Sequence, residues 1–127
     1  MGLDMKLKVV VKPWGYEQHY PDMTKTQDKT ISLRVKLLVV YPGQSLSLQY
    51  HQHREEHWKV VDGSATIQIG DDKYIGYKDT EWIIARKIQH RIITKANEHI
   101  VIREESFGDV WNDNDIVRLE DQYGRED

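Results

Sequence analysis

Turn signals set the frame for this chain. Pro42-Gly43, Asp62-Gly63 and Gly70-Asp71-Asp72 punctuate it between strand-like runs. The runs between them are rich in valine, isoleucine, tyrosine and tryptophan, which pack well on a pleated surface. Strands are expected at 7–11, 31–41, 45–53, 58–61, 65–69, 73–77, 80–85, 90–94 and 100–104. Their spacing, roughly eight to twelve residues, is that of a sandwich or small barrel. Lys12-Pro13-Trp14-Gly15 reads as a turn and 21–29 as a polar surface loop. Only the tail, 113–122, is expected to hold a short helix, with an aspartate as its cap. The expectation is an all-β fold with a short C-terminal helical segment, one domain over 1–127.

Chemistry concentrates where two of these strands meet. Gln49, His51, His53, Glu55, Glu56 and His57 fall within nine residues. Imidazole nitrogens and carboxylate oxygens suit a borderline divalent metal. In an extended strand the side chains of Gln49, His51 and His53 point the same way, and Glu56 follows after a short bend. Two ligand registers are open. One takes His51, His53 and either Glu56 or His57; the other takes Gln49, His51 and Glu56.

The remaining composition excludes more than it assigns. The formal charge of -3 gives no global pull toward nucleic acid or an acidic membrane. There are no cysteines, so neither a disulfide framework nor a thiolate metal site is available. No apolar run approaches the roughly 20 residues of a spanning helix. The N-terminus lacks the apolar core of a signal peptide. A cytoplasmic protein that binds a small molecule, without nucleic acid or membrane as partner, is the expectation.

Measured between Gly43 and Gly63, the order is glycine, five residues, Gln49, one residue, His51, four residues, Glu56, six residues, glycine. That spacing resembles the first cupin motif, with glutamine at its first histidine. A second motif histidine is matched by His90. The resemblance becomes closer over longer strings: Lys12-Pro-Trp-Gly15, then Pro42-Gly-Gln-Ser-Leu-Ser-Leu-Gln-Tyr-His-Gln-His-Arg-Glu-Glu-His-Trp58, Val61-Asp-Gly-Ser-Ala65, His90-Arg91, and Asp115-Ile-Val-Arg-Leu-Glu-Asp-Gln-Tyr-Gly-Arg125. Together they resemble the cupin-fold isomerase domain of type II mannose-6-phosphate isomerases, known from bifunctional mannose-1-phosphate guanylyltransferase/mannose-6-phosphate isomerase enzymes. The resemblance runs in order from 12 to 125, and its central string and tail are its specific parts. The sequence departs from it at Ala85-Arg86-Lys87, where family members carry Pro-Ala-Gly, and it drifts over 104–111.

The resemblance implies a cupin barrel (a double-stranded β-helix, or jelly roll). It implies a divalent ion (zinc, manganese, cobalt or nickel) held by Gln49, His51, Glu56 and His90. Arg118 and Arg125 then become phosphate ligands, since a guanidinium meets phosphate oxygens bidentately. The plainer reading of both is a surface ion pair with Glu120 and Asp121. The implied reaction interconverts mannose 6-phosphate and fructose 6-phosphate through an enediol, within GDP-mannose and polysaccharide biosynthesis. His53, His57 and Lys12 are the candidates for moving its proton. His53 and His57 could equally support a ligand or lie at the surface. Trp14, Trp58, Trp82 and Trp111 are expected in packing. Cupins pair through edge strands, so a homodimer is expected. A non-catalytic sugar-binding or regulatory cupin, a dioxygenase and a sugar epimerase are the alternatives, because one barrel hosts many chemistries.

Overall fold

A computed structural model describes residues 7–21, 23–24, 32–108 and 115–125. Among these residues, twelve strands run β1 Lys8–Lys12, β2 Gly15–His19, β3 Met23–Thr24, β4 Ser32–Val40, β5 Leu48–Tyr50, β6 Arg54–Gly63, β7 Ala65–Ile69, β8 Asp72–Gly76, β9 Glu81–Ile84, β10 His90–Thr94, β11 Ile100–Gly108 and β12 Val117–Glu120. They form two antiparallel sheets. The larger has the order β1-β2-β4-β11-β6-β9, with β3 also on β4; the smaller has the order β12-β5-β10-β7-β8.

Period-two alternation decides which residues turn inward. On β11, Ile100, Ile102, Glu104 and Ser106 are buried, and the residues between them are not. β6 carries Glu56, Trp58 and Val60 inward. β10 carries His90, Ile92 and Thr94 inward. One end of the barrel is closed by an apolar cluster that includes Trp14, Leu38, Val40, Val60, Ile67, Ile92 and Ile100. Burying such side chains contributes about 1.5–3 kcal/mol each. The same strands, followed away from that cluster, turn polar: Leu38 gives way to Lys36 and Arg34, and Ile102 to Glu104 and Ser106. The barrel therefore has a dry end and a charged end.

The expected all-β layering is present, and the Asp62-Gly63 turn ends β6 and carries the chain from the larger sheet into β7 of the smaller one, so it is not a hairpin. Gly63 takes a φ of 77° there, and a Cβ on it would run into the His99 carbonyl. Trp14 and Trp58 are buried, Trp82 packs beside the core, and Trp111 lies outside the described residues.

Two expectations are corrected. The tail holds no helix among its described residues; Val117–Glu120 is a strand on the open edge of β5. Backbone pairing with β5 outweighs the weak local preference for a helix. The strand expected over 45–53 is regular only at Leu48–Tyr50. It ends because the Asp115 carboxylate accepts the backbone N–H groups of Gln52 (2.9 Å) and His53 (3.1 Å), which bends the chain. The loop expected at 21–29 falls mostly outside the described residues. No helix among the described residues is long and apolar enough to cross a membrane.

Candidate metal centre

Three of the four expected ligands meet at the charged end. His51 follows β5, Glu56 is on β6 and His90 opens β10, and their ligating atoms lie within 4.8 Å of one another. All three side chains are buried. His51 Nε2 is 3.4 Å from Glu56 Oε2, and His90 Nε2 is 3.2 Å from Glu56 Oε1. Gln49 sits opposite His90 in the strand register and lines the same cavity, with its Oε1 accepting the Ser47 hydroxyl at 3.1 Å.

The second nitrogen of each imidazole is already committed. His51 Nδ1 donates to the Asp115 carbonyl at 2.6 Å, and His90 Nδ1 donates to the Ile88 carbonyl at 2.9 Å. A hydrogen bond on Nδ1 fixes the ring and aims the Nε2 lone pair at the cluster, as metal-ligating histidines require. His90 Nε2 and Glu56 Oε1 are at ion-pair distance, yet both are buried without a hydrogen bond. Buried polar atoms are rarely left so. A divalent ion between them would satisfy both, so the donor set fits a metal of mixed nitrogen and oxygen preference.

Electrostatics sharpen the picture. Burial lowers the His51 pKa to about 4 against the pull of Glu56, helped by the charges of Arg54 and His90. Its imidazole is neutral at physiological pH. Burial alone would raise the Glu56 carboxyl, but His51, His90 and Arg54 outweigh it and hold Glu56 well below the carboxylate range. Burial pulls His90 down, and Glu56 more than reverses that. Beside Glu56, Glu104 is pushed up by burial and by the Glu56 charge, against Lys36 and Arg54. Two neighbouring carboxyls thus part: Glu56 is held low, and Glu104 is pushed up to about 7.

A cavity of about 730 Å³ lies beside the cluster and is lined by its His51 and by Gln49. Lys12, Arg118 and Arg125 line it, as do Arg54, Lys36 and His19. Arg125 also donates to Asp121 Oδ2 at 2.7 Å, so its plainer reading as an ion pair is realised, while its guanidinium lies 5.7 Å from the Tyr123 ring centre. Arg118 stands opposite Gln49 on β12.

The two histidines expected to move a proton lie elsewhere. His53 is exposed beyond the bend and does not line the cavity, so it does not share the face of Gln49 and His51. His57 alternates with Glu56 and Trp58, so it points to the outer face of β6. There it donates to Glu55 at 2.7 Å and tilts against Phe107. Sequence reasoning missed Arg54, Lys36, Glu104, and the pair formed by Glu17 and His19, whose Nε2 donates to Glu17 at 2.7 Å. The inward alternation of β11 was the available signal for Glu104.

With this geometry in view, comparison with known proteins is decisive. The model of the mannose-6-phosphate isomerase C-terminal family matches residues 4–121. The chain belongs to that family. Xanthan biosynthesis protein XanB of Xanthomonas campestris pv. campestris (strain B100) is 35% identical over 116 residues, which cover 91% of this chain and 23% of the relative. Mannose-1-phosphate guanylyltransferase of Escherichia coli K12 is 34% identical over 117 residues, with 91% and 23% covered. The chain therefore spans 23% of the length of these curated relatives.

Solved structures share the fold. Capsular polysaccharide assembling protein CapF of Staphylococcus aureus superposes with a TM-score of 0.66 at 19% identity, over 91% of this chain and 34% of that one. A cupin-2 domain of Rhodospirillum rubrum gives 0.63 at 15% identity, over 84% and 72%. The barrel is a cupin, as the resemblance implied, without a C-terminal helix among the described residues.

Proposed function

We propose that this domain is a type II mannose-6-phosphate isomerase, a metal-dependent aldose–ketose isomerase acting on mannose 6-phosphate and fructose 6-phosphate. The observation that supports it most is the buried His51–Glu56–His90 cluster, with unsatisfied Glu56 and His90 atoms, whose His51 lines a cavity edged by arginine. His51, Glu56 and His90, with Gln49 alongside, would hold the ion. Bound there, a divalent ion supplies Lewis-acid stabilisation of the charge that develops on the sugar oxygens.

The chain's own residues do the rest. Arg118 and Arg125 take the phosphate and lay the carbon chain along the cavity wall. The C2 proton passes to a base and returns to C1. Of the expected candidates only Lys12 lines the cavity; His19, oriented by Glu17, lines it too. In this reading the domain works in the cytoplasm, in activated-mannose supply, and two copies pair along an edge strand.

The displacement of His53 and His57 from the cavity favours a second reading, a sugar-binding cupin without isomerase activity. One assay separates them. Metal is stripped, manganese, cobalt, nickel or zinc is restored, and conversion of mannose 6-phosphate is followed. Turnover restored by metal and abolished in His51→Ala supports the isomerase. Metal binding without turnover leaves the binding cupin.

A further inference from the structure

Arg54, the first residue of β6, is in contact with two of the metal-ligating atoms. Its Nη2 lies 3.1 Å from His51 Nε2 and 3.1 Å from Glu56 Oε2, and its Nε donates to the same carboxylate oxygen at 3.2 Å. The side chain is mostly buried and lines the cavity.

The chemistry of one atom turns this contact into a choice. A neutral imidazole offers a single in-plane lone pair for acceptance or ligation. His51 Nδ1 is spent as a donor to the Asp115 carbonyl, so that lone pair is on Nε2. Arg54 Nη2 takes it. A metal ion needs the same lone pair, and two cations cannot share it. Glu56 is different: its carboxylate has two oxygens, Arg54 contacts Oε2, and Oε1 faces His90. Glu56 can serve both cations; His51 can serve one.

We infer that Arg54 is an internal cation that competes with the metal for His51 and is turned into the cavity when the metal binds. This rests on the metal reading of the cluster. Two consequences follow from the geometry. Arg54 screens the buried Glu56 charge, which would otherwise be costly to bury. Once released from His51, its guanidinium faces the cavity and can meet an anion there. Metal binding and anion binding are then linked, and the linkage is reciprocal.

The sign of one measurement decides the matter. A residue that merely supports a metal ligand weakens metal binding about 10–100-fold when removed. A competitor does the reverse. Cobalt(II) is titrated into wild type, Arg54→Met and Arg54→Lys at fixed pH, by calorimetry and by the ligand-field absorption of the bound ion. Expected is cobalt binding tighter by about tenfold or more in Arg54→Met. Arg54→Lys, which keeps the charge but lacks the planar fork, falls between. Without metal, Arg54→Met melts below wild type, and added cobalt narrows the gap. Equal or weaker cobalt binding in a folded Arg54→Met protein overturns the inference. If that variant does not fold, Arg54→Lys carries the test, and weaker binding there overturns it. Wild type that binds no cobalt at all removes the metal reading itself, an outcome distinct from a wrong sign in the variants.

Discussion

The backbone N–H of Lys87 donates to the carbonyl of His51 at 2.7 Å, tying the loop before His90 to the chain that carries His51. Two candidate ligands from separate segments, His51 after β5 and His90 at the start of β10, are thus tied together by a backbone bond. Lys87 stands where the resemblance placed the glycine of Pro-Ala-Gly, and its φ of 68° is the left-handed conformation that a glycine adopts freely. The departure in sequence leaves the turn in place and stores strain in it. Lys87→Gly is expected to change stability by less than about 1 kcal/mol, because relief of the left-handed penalty offsets the entropy that glycine loses. Lys87→Val is expected to lower stability by about 1–2 kcal/mol, since branching at Cβ makes this backbone region worse. It should also weaken metal binding by displacing His90. Thermal unfolding and a metal titration of both variants check this; a valine as well tolerated as the glycine would contradict it.

Arg118 separates phosphate recognition from metal binding. It lines the cavity from β12, opposite Gln49, while His51, Glu56 and His90 lie on other segments. Arg118→Ala is expected to raise KM for the sugar phosphate about tenfold or more and to leave metal content unchanged. Steady-state kinetics and elemental analysis read the two effects separately. Metal loss in this variant would refute the assigned role.

Glu17 gives the barrel an acid limit. Burial would raise its carboxyl, but the hydrogen bond from His19 and the charges of Lys36 and Lys12 overcome it and hold the pKa at about 2 instead of 4.5. The folded pKa lies below the unfolded one, so this stabilisation is complete above about pH 4.5 and is lost as pH falls toward 2. It is on the order of 3 kcal/mol. Glu17→Gln should therefore lose less stability than wild type between pH 6 and pH 3. Urea unfolding at the two pH values measures the difference, and equal losses would count against the network.

The sequence made much of this legible, for identifiable reasons. The convergence of His51, Glu56 and His90 is expected because spacing along the chain offers His51 and Glu56, and the resemblance supplies His90. Lys36 and Arg34 alternate with apolar neighbours along the strand expected at 31–41, but alternation does not say which face is wet. Here the face they share with Leu38 and Val40 is the inner one, because a barrel with a cavity is apolar at one end and charged at the other. β2 was missed because Gly-Tyr-Glu-Gln-His has no β-branched residue, and β12 because its pairing partner is 67 residues away at Tyr50 to Val117. His53 was misdirected by Asp115, a contact across the chain that no local pattern announces.

Self-association through an edge strand can be assigned to one edge by charge. β1 and β9 end the larger sheet and β12 and β8 the smaller, and of these four β1 and β8 are the longer edges, five residues each. On β8, Ile75 is 68% exposed and the neighbouring Tyr77 60%. Antiparallel pairing of two β8 strands about Tyr74 sets Asp72 opposite Gly76 and Lys73 opposite Ile75, with no like charges facing each other. The same pairing of β1 about Val10 sets Lys8 opposite Lys12, and lysines on an edge discourage pairing. Two copies of this chain are therefore expected to join through β8, continuing the smaller sheet across a two-fold axis. Light scattering over a dilution series should show a dimer for wild type and a monomer for Ile75→Lys, with Val11→Lys on β1 remaining dimeric. A wild-type monomer throughout, or a dimer lost only in the β1 variant, would remove the assignment.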